Sequence, residues 1–225
     1  RTRMIIDERF VTYMNSLDPG NTALLDQIEQ EALRTDVPVI RKETQACLKL
    51  FLAVQKPQRI LEVGTAVGFS AILMKTYNPA DCRITTIENY EKRIPIAREN
   101  FRRAGMEESI ELVEGDAAQV LERLEGPYDL IFMDAAKGQY LHFLPQVLRL
   151  LAENGMLISD NILQDGDIIE SRYAVIRRNR TIHRRMRRYL YELTHHDSLV
   201  TAVFPVGDGI TVSSKKQENS IRRTK

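Results

Sequence analysis

Four carboxylates recur along the chain, each at or near the point where a short apolar run ends. They are Glu62, Glu88, Asp116 and Asp134. Because the carboxyl ends of parallel strands share one edge of a sheet, these acids would meet at a single ligand-binding edge. An ionised carboxylate there is a strong acceptor for the ribose hydroxyls of a nucleoside. Each acid taken alone is more often a turn or helix-capping residue, so only the series of four points to a ligand.

A tight glycine turn follows the first of these acids. Gly64 and Gly68 stand between an apolar strand pattern and an apolar helical pattern. Glycine has no Cβ, so a ligand can lie directly against the backbone of such a turn. The dinucleotide fingerprint G-x-G-x-x-G does not fit, because its second glycine is missing. The alternative is an ordinary strand-to-helix turn that binds nothing.

A second group of oxygen-bearing side chains predicts a metal site. Asp134 ends one predicted strand, and Asp160 and Asn161 end the next. Adjacent strand tips would bring these side chains together at the same edge of the sheet. Oxygen ligands without cysteine or histidine suit Mg²⁺ rather than zinc. The alternative is that Asp160 and Asn161 only cap the following helix. Lys137 is placed to act as a base or is simply a surface lysine.

The elements that must position these residues alternate between strand and helix, which predicts a doubly wound α/β sheet. Helices come first, at about residues 5–16, 21–35 and 41–55. Strands at about 59–63, 83–88, 109–114, 128–133 and 155–159 then alternate with helices at about 69–77, 90–104, 116–124 and 139–151. A long helix at about 168–194 leads into a hairpin of strands at about 199–204 and 209–213. The expected sheet has seven strands, five parallel ones and a terminal antiparallel hairpin.

The combined motifs resemble a known family. Glu-x-Gly-x-x-x-Gly-x-Ser, Asp-x-x-Lys and Asp-Asn are similar to motifs of the cation-dependent O-methyltransferases of the catechol and caffeoyl-CoA type, and the resemblance covers residues 36–214. It implies a class I, Rossmann-like methyltransferase fold that uses S-adenosylmethionine and Mg²⁺. We expect one domain over residues 1–214, with N-terminal helices and a lid in residues 1–55. Residues 215–225 are expected to form a basic, flexible tail.

The resemblance also implies roles for individual residues. The implied contacts to S-adenosylmethionine are Ile40, Glu62, Gly64, Ser70, Glu88, Asp116, Ala117 and Asp134. The implied metal ligands are Asp134, Asp160 and Asn161, and the implied catalytic residues are Lys137, as general base, and Asp134. The sequence departs from the catechol enzymes at Ala135 and Ala136, where those enzymes carry bulky aromatic gatekeepers, and it contains no tryptophan. A close-fitting wall for a small aromatic ring is therefore not expected.

An arginine-rich segment predicts a polyanionic partner. Residues 176–190 contain seven arginines and no acid. At helical spacing one apolar stripe comprises Val175, Ile182, Met186, Tyr189 and Leu193. The opposite face is predicted to bind nucleic acid through Arg177, Arg180, Arg184, Arg187 and Arg188. The alternatives are a phosphorylated small molecule, a dimer contact or a solvated charged surface.

Within the family, this segment and residues 37–41 resemble the bacterial members that modify tRNA. That resemblance implies methylation of 5-hydroxyuridine to 5-methoxyuridine at the wobble position of the anticodon loop, because the 5-hydroxyl and O4 imitate the two oxygens of a catechol. A base in a loop can also be splayed into a pocket. The alternatives are a small-molecule catechol or phenol O-methyltransferase and a non-catalytic protein that binds nucleic acid.

Bulk properties predict a cytoplasmic enzyme without a membrane partner. The 225-residue chain has a net charge of +1, so its overall charge identifies no partner. Cys47 and Cys82 form neither a disulfide framework nor a zinc motif. No apolar run approaches the ~20 residues of a membrane span, and the N-terminal region has no signal-like apolar core. A homodimer is expected from the family resemblance, and His142, His195 and His196 are expected to be structural or surface residues.

Overall fold

A seven-stranded sheet with the order β3-β2-β1-β4-β5-β7-β6 organises the protein. The computed structural model describes residues 6–217. The strands are β1 Arg59–Val63, β2 Arg83–Glu88, β3 Ile110–Glu114, β4 Tyr128–Met133, β5 Leu151–Ser159, β6 Leu199–Phe204 and β7 Ile210–Lys215. The first five run parallel, and β7 is antiparallel to both β5 and β6. This confirms the predicted class I methyltransferase topology with its terminal hairpin.

Helices cover both faces of the sheet. They are α1 Glu8–Ser16, α2 Ala23–Arg34, α3 Lys42–Gln55, α4 Phe69–Tyr77, α5 Ile94–Arg103, α6 Ala117–Arg123, α7 Tyr140–Leu150 and α8 Arg180–His195. Successive strand residues point to opposite faces, so Ile60 belongs to the core with Leu48 and Leu73, whereas Leu61 belongs to the core with Val147 and Tyr189. Strands buried on both sides explain the nearly continuous apolar runs in the sequence.

The predicted long helix over residues 168–194 is wrong in its first half. Residues 170–176 are not helical, a 3-10 helix covers Arg177–Asn179, and α8 begins only at Arg180. The segment turns instead: the backbone N–H of Ala174 donates to the carbonyl of Ser171 at 3.0 Å, and the Arg180 side chain donates to the carbonyl of Val175 at 3.1 Å. Val175 is buried as predicted, but it reaches the core from a loop.

The buried side of α8 is attached to the tip of β5. The hydroxyls of Tyr189 and Ser159 lie 2.6 Å apart, and both residues are fully buried. The Tyr140 hydroxyl donates to the carbonyls of Met133 and Asp160, at 3.2 and 3.1 Å. The two tyrosine rings meet edge to face, with centroids 5.5 Å apart. Two helices thereby hold the ends of β4 and β5 in register.

The ends of the chain add one correction. Lys215 is not part of a tail, because it closes β7 and donates to the carbonyls of Leu148 and Leu151 at 2.9 and 2.8 Å. The remainder of the predicted tail lies almost wholly outside the described residues. Within residues 6–217, no helix combines the length and the apolar character that a membrane crossing requires.

Candidate functional site

A cavity of about 840 Å³ opens at the carboxyl edge of the parallel strands. That volume lies within the range of small-molecule and cofactor sites, roughly 300–1,000 Å³. Six of the eight residues predicted to contact a cofactor line it: Ile40, Gly64, Glu88, Asp116, Ala117 and Asp134. The cavity flanks the junction of β1 and β4, where the strand order reverses and open α/β sheets bind ligands.

Gly64 forms the cavity wall at this junction, where no other residue type would fit. Its φ is +107°, and a Cβ built on it would lie 2.2 Å from the carbonyl oxygen of Asp134. The backbone N–H of Asp134 in turn donates to the carbonyl of Val63 at 3.0 Å. The glycine turn therefore serves two purposes, because it packs the ends of β1 and β4 together and leaves bare backbone towards the cavity.

Glu62 and Ser70 are exceptions among the predicted cofactor residues, because they do not line the cavity. Glu62 is completely buried and accepts hydrogen bonds from the hydroxyls of Ser70 and Thr86. Burial raises the pKa of Glu62 from its usual 4.5 to about 8. The geometry therefore favours a supporting role, in which Glu62 joins β1, β2 and the start of α4 beneath the glycine turn.

Glu88 and Asp116 border the cavity and also make local hydrogen bonds. One oxygen of Glu88 accepts from the backbone N–H of Ala66 at 2.8 Å, and the other accepts from the N–H groups of Asn89 and Tyr90 at 3.0 Å. Asp116 caps α6 by accepting from Ala118 N–H at 3.0 Å. The capping interpretation and the ligand-binding interpretation are thus compatible, because these local bonds leave acceptor capacity on each carboxylate.

The three predicted metal ligands lie together. The Asn161 side-chain amide donates to Oδ1 of Asp134 at 2.9 Å, and the Asn161 backbone N–H donates to Oδ1 of Asp160 at 2.7 Å. Asn161 has φ +57°, in the left-handed region that asparagine tolerates better than most residues. The backbone N–H of Asp160 donates to the carbonyl of Met133 at 2.9 Å, which sets the tips of β4 and β5 side by side.

The electrostatics of this cluster fit a cation. Burial raises the pKa of both Asp134 and Asp160, and the charge of Asp134 raises that of Asp160 further. No group of three or more His, Cys, Asp or Glu side chains suited to a metal occurs within residues 6–217. The donor set is therefore two carboxylates and one amide, which suits a hard cation such as Mg²⁺ that keeps several other ligands. Binding through the amide requires the Asn161 side chain to turn its Oδ1 towards the carboxylates.

Lys137 is held by a residue that the sequence analysis did not identify. It lies in the 3-10 helix Lys137–Gln139, and its Nζ donates to Oδ2 of Asp208 at 2.9 Å. Asp208 is only 3% exposed and belongs to the turn between β6 and β7. Lys137 does not line the cavity in this conformation. In the sequence Asp208 is indistinguishable from an ordinary turn residue, and only the fold brings it to Lys137.

The wall beside the metal cluster contains both expected and unexpected residues. Ala135 and Ala136 line the cavity, in agreement with an open entrance. His142 was predicted to be structural or on the surface, but it lines the same cavity from α7. Phe143, one residue further along α7, supplies an aromatic side chain that the sequence analysis missed. The sequence signal that could have identified Phe143 is its position on the helix that directly follows the 3-10 helix of Lys137.

The predicted arginine surface is only partly free. Arg177, Arg184 and Arg188 are exposed, and Arg188 makes a 3.5 Å ion pair with Glu192. Arg180 instead donates to the carbonyls of Val175 and Tyr173 at 3.1 and 3.4 Å. Arg187, also exposed, donates to the Ile168 carbonyl at 3.4 Å. These two arginines fasten the irregular segment before α8, so the predicted single-sided arginine helix is incorrect in detail.

Comparison with known proteins identifies the family. A sequence profile described as O-methyltransferase matches residues 15–216. The chain belongs to the O-methyltransferase family. The resemblance to cation-dependent O-methyltransferases is thereby confirmed, whereas a closer relation to the tRNA-modifying members is not established by these matches. The family match spans every residue of the cavity described above.

Individual relatives of this O-methyltransferase have different substrates in their names. A catechol O-methyltransferase of Niastella koreensis is 32% identical over 127 residues, which are 55% of this chain and 58% of that protein. Caffeoyl-CoA O-methyltransferase 2 of Populus trichocarpa is 29% identical over 176 residues, 73% of this chain and 70% of that protein. The chain spans less than three fifths of the two bacterial catechol O-methyltransferases it matches, at 58% and 56%.

A solved structure supports the fold over almost the whole chain. The SAH-bound methyltransferase PaMTH1 of Podospora anserina superposes with a TM-score of 0.83 at 26% identity. The superposition covers 93% of this chain and 95% of that one. The sheet, the cavity edge and the terminal hairpin of this O-methyltransferase are therefore those of its structural relatives.

Replacing Gly64 by alanine should distort the cavity. The new Cβ would meet the Asp134 carbonyl, whereas a Cβ added to Gly20, with φ +89°, would have no other atom within 4 Å. Gly64→Ala should therefore lower the free energy of unfolding by about 1–3 kcal/mol more than Gly20→Ala, which introduces only backbone strain. Urea unfolding measures the difference. Equal losses for the two variants would contradict the proposed close contact.

The buried Glu62 should make stability depend on pH. The unfolded chain loses this proton near pH 4.5 and the folded chain near pH 8, so the group's contribution to stability is lost as pH rises between those values. Glu62→Gln keeps one of the two acceptor oxygens that Ser70 and Thr86 use and removes the titration. The variant should gain stability relative to wild type from pH 5 to pH 8 in urea unfolding. Glu111→Gln, at an exposed site, is the control, and a difference independent of pH would refute the assignment.

Proposed function

We propose that this O-methyltransferase uses S-adenosylmethionine and Mg²⁺ to methylate the 5-hydroxyl of 5-hydroxyuridine at the wobble position of a tRNA anticodon loop. The observation that carries the chemistry is one cavity in which a bare glycine turn and two nucleoside-facing acids adjoin the Asp134, Asp160 and Asn161 cluster. The product is 5-methoxyuridine. A cytoplasmic location stays a prediction.

The cofactor half of the cavity supports S-adenosylmethionine. Glu88 offers carboxylate oxygens for the ribose hydroxyls, and Asp116 and Ala117, at the start of α6, border the region proposed for the adenine. Gly64 leaves the backbone open, and Ile40 closes the cavity from the segment before α3. S-adenosylmethionine would supply an electrophilic methyl group. The protein's contribution is to orient the cofactor and the acceptor oxygen, because positioning alone removes much of the barrier to transfer.

The second half of the cavity supports activation of a hydroxyl group. Asp134, Asp160 and Asn161 would hold the cation, whose charge favours ionisation of a hydroxyl that has a second oxygen beside it. Lys137 is proposed to accept the hydroxyl proton on its Nζ. The fully buried Tyr140 and Tyr189 fix the strand tips that carry the ligands. The required acceptor is therefore an oxygen pair, as in catechols and in 5-hydroxyuridine.

The surface around α8 supports an RNA substrate. Arg177, Arg184 and Arg188 are exposed and could neutralise phosphates. Tyr173, three residues before the arginine-rich segment, is 82% exposed, and its ring is available to stack on a base. Arg185 donates to the carbonyl of Gly138 at 3.2 Å, so this helix adjoins the 3-10 helix that carries Lys137. An RNA bound there would lie next to the chemistry.

A small catechol or phenol is the second candidate substrate. Similarity to catechol and caffeoyl-CoA O-methyltransferases favours it, and Phe143 offers one aromatic wall. Methylation assays with catechol and with tRNA that contains 5-hydroxyuridine separate the two candidates. Nucleoside mass spectrometry of tRNA from a deletion strain should show loss of 5-methoxyuridine and accumulation of 5-hydroxyuridine. If the tRNA nucleosides are unchanged and catechol is methylated, the small catechol or phenol becomes the first candidate substrate.

A homodimer is proposed as the assembled form. Helix α1 has no buried residue and exposes the large apolar side chains of Phe10, Tyr13 and Leu17. Polar contacts attach it to α3, including a 2.9 Å hydrogen bond from Asn15 to Glu43. Exposed apolar groups on a well-attached helix are typical of a surface that another subunit covers. Analytical ultracentrifugation would measure the assembly.

Removing a proposed metal ligand should separate catalysis from cofactor binding. Asp160→Asn keeps the side-chain shape but replaces a buried carboxylate by a neutral amide. Turnover should fall on the order of 100-fold or more, since even residues behind metal ligands contribute roughly 10- to 100-fold. Calorimetric affinity for S-adenosylmethionine should remain close to wild type. EDTA should abolish turnover and Mg²⁺ restore it, whereas full activity in EDTA would eliminate the metal-dependent mechanism.

Reversing two exposed arginine charges should weaken tRNA binding. Arg184→Glu with Arg188→Glu should reduce affinity for all tRNA sequences and make its salt dependence shallower by about one unit of slope per lost phosphate contact. Arg83→Glu with Arg123→Glu is the matched control, because these exposed arginines lie at the opposite edge of the sheet. Catechol methylation, if present, should not change. If the folded variant keeps the wild-type tRNA affinity and salt slope, the arginine surface contacts only solvent and does not bind tRNA.

A further inference from the structure

Asp208 is a buried carboxylate that the proposed chemistry does not yet use. One of its oxygens accepts from Lys137 Nζ at 2.9 Å, and the other accepts from the backbone N–H of Asp165 at 2.5 Å. Its own carbonyl accepts from Leu163 N–H at 2.9 Å. The β6–β7 turn is thus joined to the segment that follows Asp160 and Asn161 on one side and to Lys137 on the other.

The same turn also contacts the segment that closes the cavity. Asp165 forms a 3.4 Å ion pair with Arg41, which lines the cavity beside Ile40. A Cβ on Gly207 would lie 2.8 Å from Thr44 Oγ1, so the turn packs closely against the start of α3. Three regions that are distant in sequence therefore meet around the β6–β7 turn: the Lys137 helix, the segment after the proposed metal ligands and the start of α3.

We propose that Asp208 is the positioning residue for Lys137, an inference that rests on the proposed role of Lys137 in proton transfer. A base is effective only when its nitrogen is held within reach of the proton it takes, and a third group commonly orients it. Asp208 provides that third group from the β6–β7 turn, where it holds Lys137 beside the cavity rather than in its wall. Its second bond, to Asp165, fixes the carboxylate so that one oxygen remains directed at Lys137.

The proton balance assigns separate roles to the two residues. The acceptor O–H bond breaks, a new N–H bond forms on Lys137 Nζ, and the freed oxygen electron pair forms the bond to the methyl carbon. The bond from that carbon to the cofactor's sulfur breaks at the same time, and its electron pair stays on sulfur. Asp208 neither gains nor loses a proton, and its charge stabilises the ammonium that forms on Lys137. The ion pair in the structure is the arrangement expected after this transfer.

A purely structural role would not require a carboxylate at this position. The Asp165 N–H needs one acceptor, and the side-chain oxygen of an asparagine would supply it. Burying a charge is unfavourable unless it is paired, and the partner of Asp208 is Lys137. The Asp208 oxygen that faces Lys137 is therefore needed only for the ion pair with that lysine. Asp208→Asn can accordingly keep the turn and remove only the ion pair.

Turnover of Asp208→Asn tests the proposal with the full-length protein, S-adenosylmethionine, Mg²⁺ and either tRNA containing 5-hydroxyuridine or catechol. We expect kcat to fall about 10- to 100-fold, the range for a lost charge-assisted bond, while KM for S-adenosylmethionine stays within about twofold. Asp208→Glu should recover part of the loss. Asp197→Asn, an exposed carboxylate just before β6, is the control and should behave as wild type.

A double-variant cycle distinguishes positioning from a structural effect. In a Lys137→Met background, Asp208→Asn should cause no further loss of kcat, because its effect acts through the lysine. If Asp208→Asn alone does not fold, the double variant, which lacks both charges of the ion pair, can still be compared with Lys137→Met. An additional loss in that background, or wild-type kcat in folded Asp208→Asn, would overturn the proposal. Unchanged turnover in Lys137→Met would instead refute the proposed role of Lys137 itself.

Discussion

The backbone contact between Gly64 and Asp134 is the constraint on which the site depends. The missing side chain at Gly64 allows the ends of β1 and β4 to approach until a Cβ would overlap the Asp134 carbonyl. Gly64 N–H also donates to Ile87 at 3.1 Å, which adds β2 to the same junction. Once the three strand ends are fixed, Glu88 and Asp134 border one cavity from β2 and β4, the two strands on either side of β1. The part of the cavity proposed for the cofactor and the part proposed for the metal therefore meet at this one junction.

Buried carboxylates lie around this junction of strand ends, and different partners offset the cost of burying each of them. Glu62 is satisfied by two hydroxyl donors, and burial raises its pKa to about 8. Asp208 is paired with Lys137. Asp160 receives a backbone N–H but lies close to the charge of Asp134, which raises its pKa further. Asp134 and Asp160 are like charges close to each other, and this repulsion is the physical reason for proposing a cation there.

Helix α8 connects the surface proposed to bind the substrate with the strands that carry the proposed site. Its buried side, through Tyr189, supports Ser159 immediately before the metal ligands. Its outer side carries arginines, of which Arg185 donates to the carbonyl of Gly138 in the 3-10 helix Lys137–Gln139 and Arg187 to the carbonyl of Ile168 in the 3-10 helix Gln164–Ile169. Packing restricts substitutions on the buried side of α8, whereas solvent surrounds the outer side, which tolerates them better. A change of partner on the outer side therefore need not disturb the metal site.

The sequence by itself determined the order of strands and helices, because each has its own hydrophobic period and its own glycine or acidic boundary. The spans of β1, α4, β2 and β4 were predicted to the residue. The metal cluster was equally accessible, since strand ends in a parallel sheet must share an edge. The start of α8 was not, because helical periodicity does not register the hydrogen bonds from the Arg180 side chain to the carbonyls of Tyr173 and Val175 in the non-helical segment before it.

Tertiary structure alone decided which side chains face the cavity and which lie behind it. Glu62 and Glu88 look alike in the sequence, but one is buried under the turn and the other lines the cavity. The pairing of Asp208 with Lys137 spans 71 positions of the chain. Local patterns carry no information about such a contact, because it arises only when the β6–β7 turn folds back over the end of the sheet.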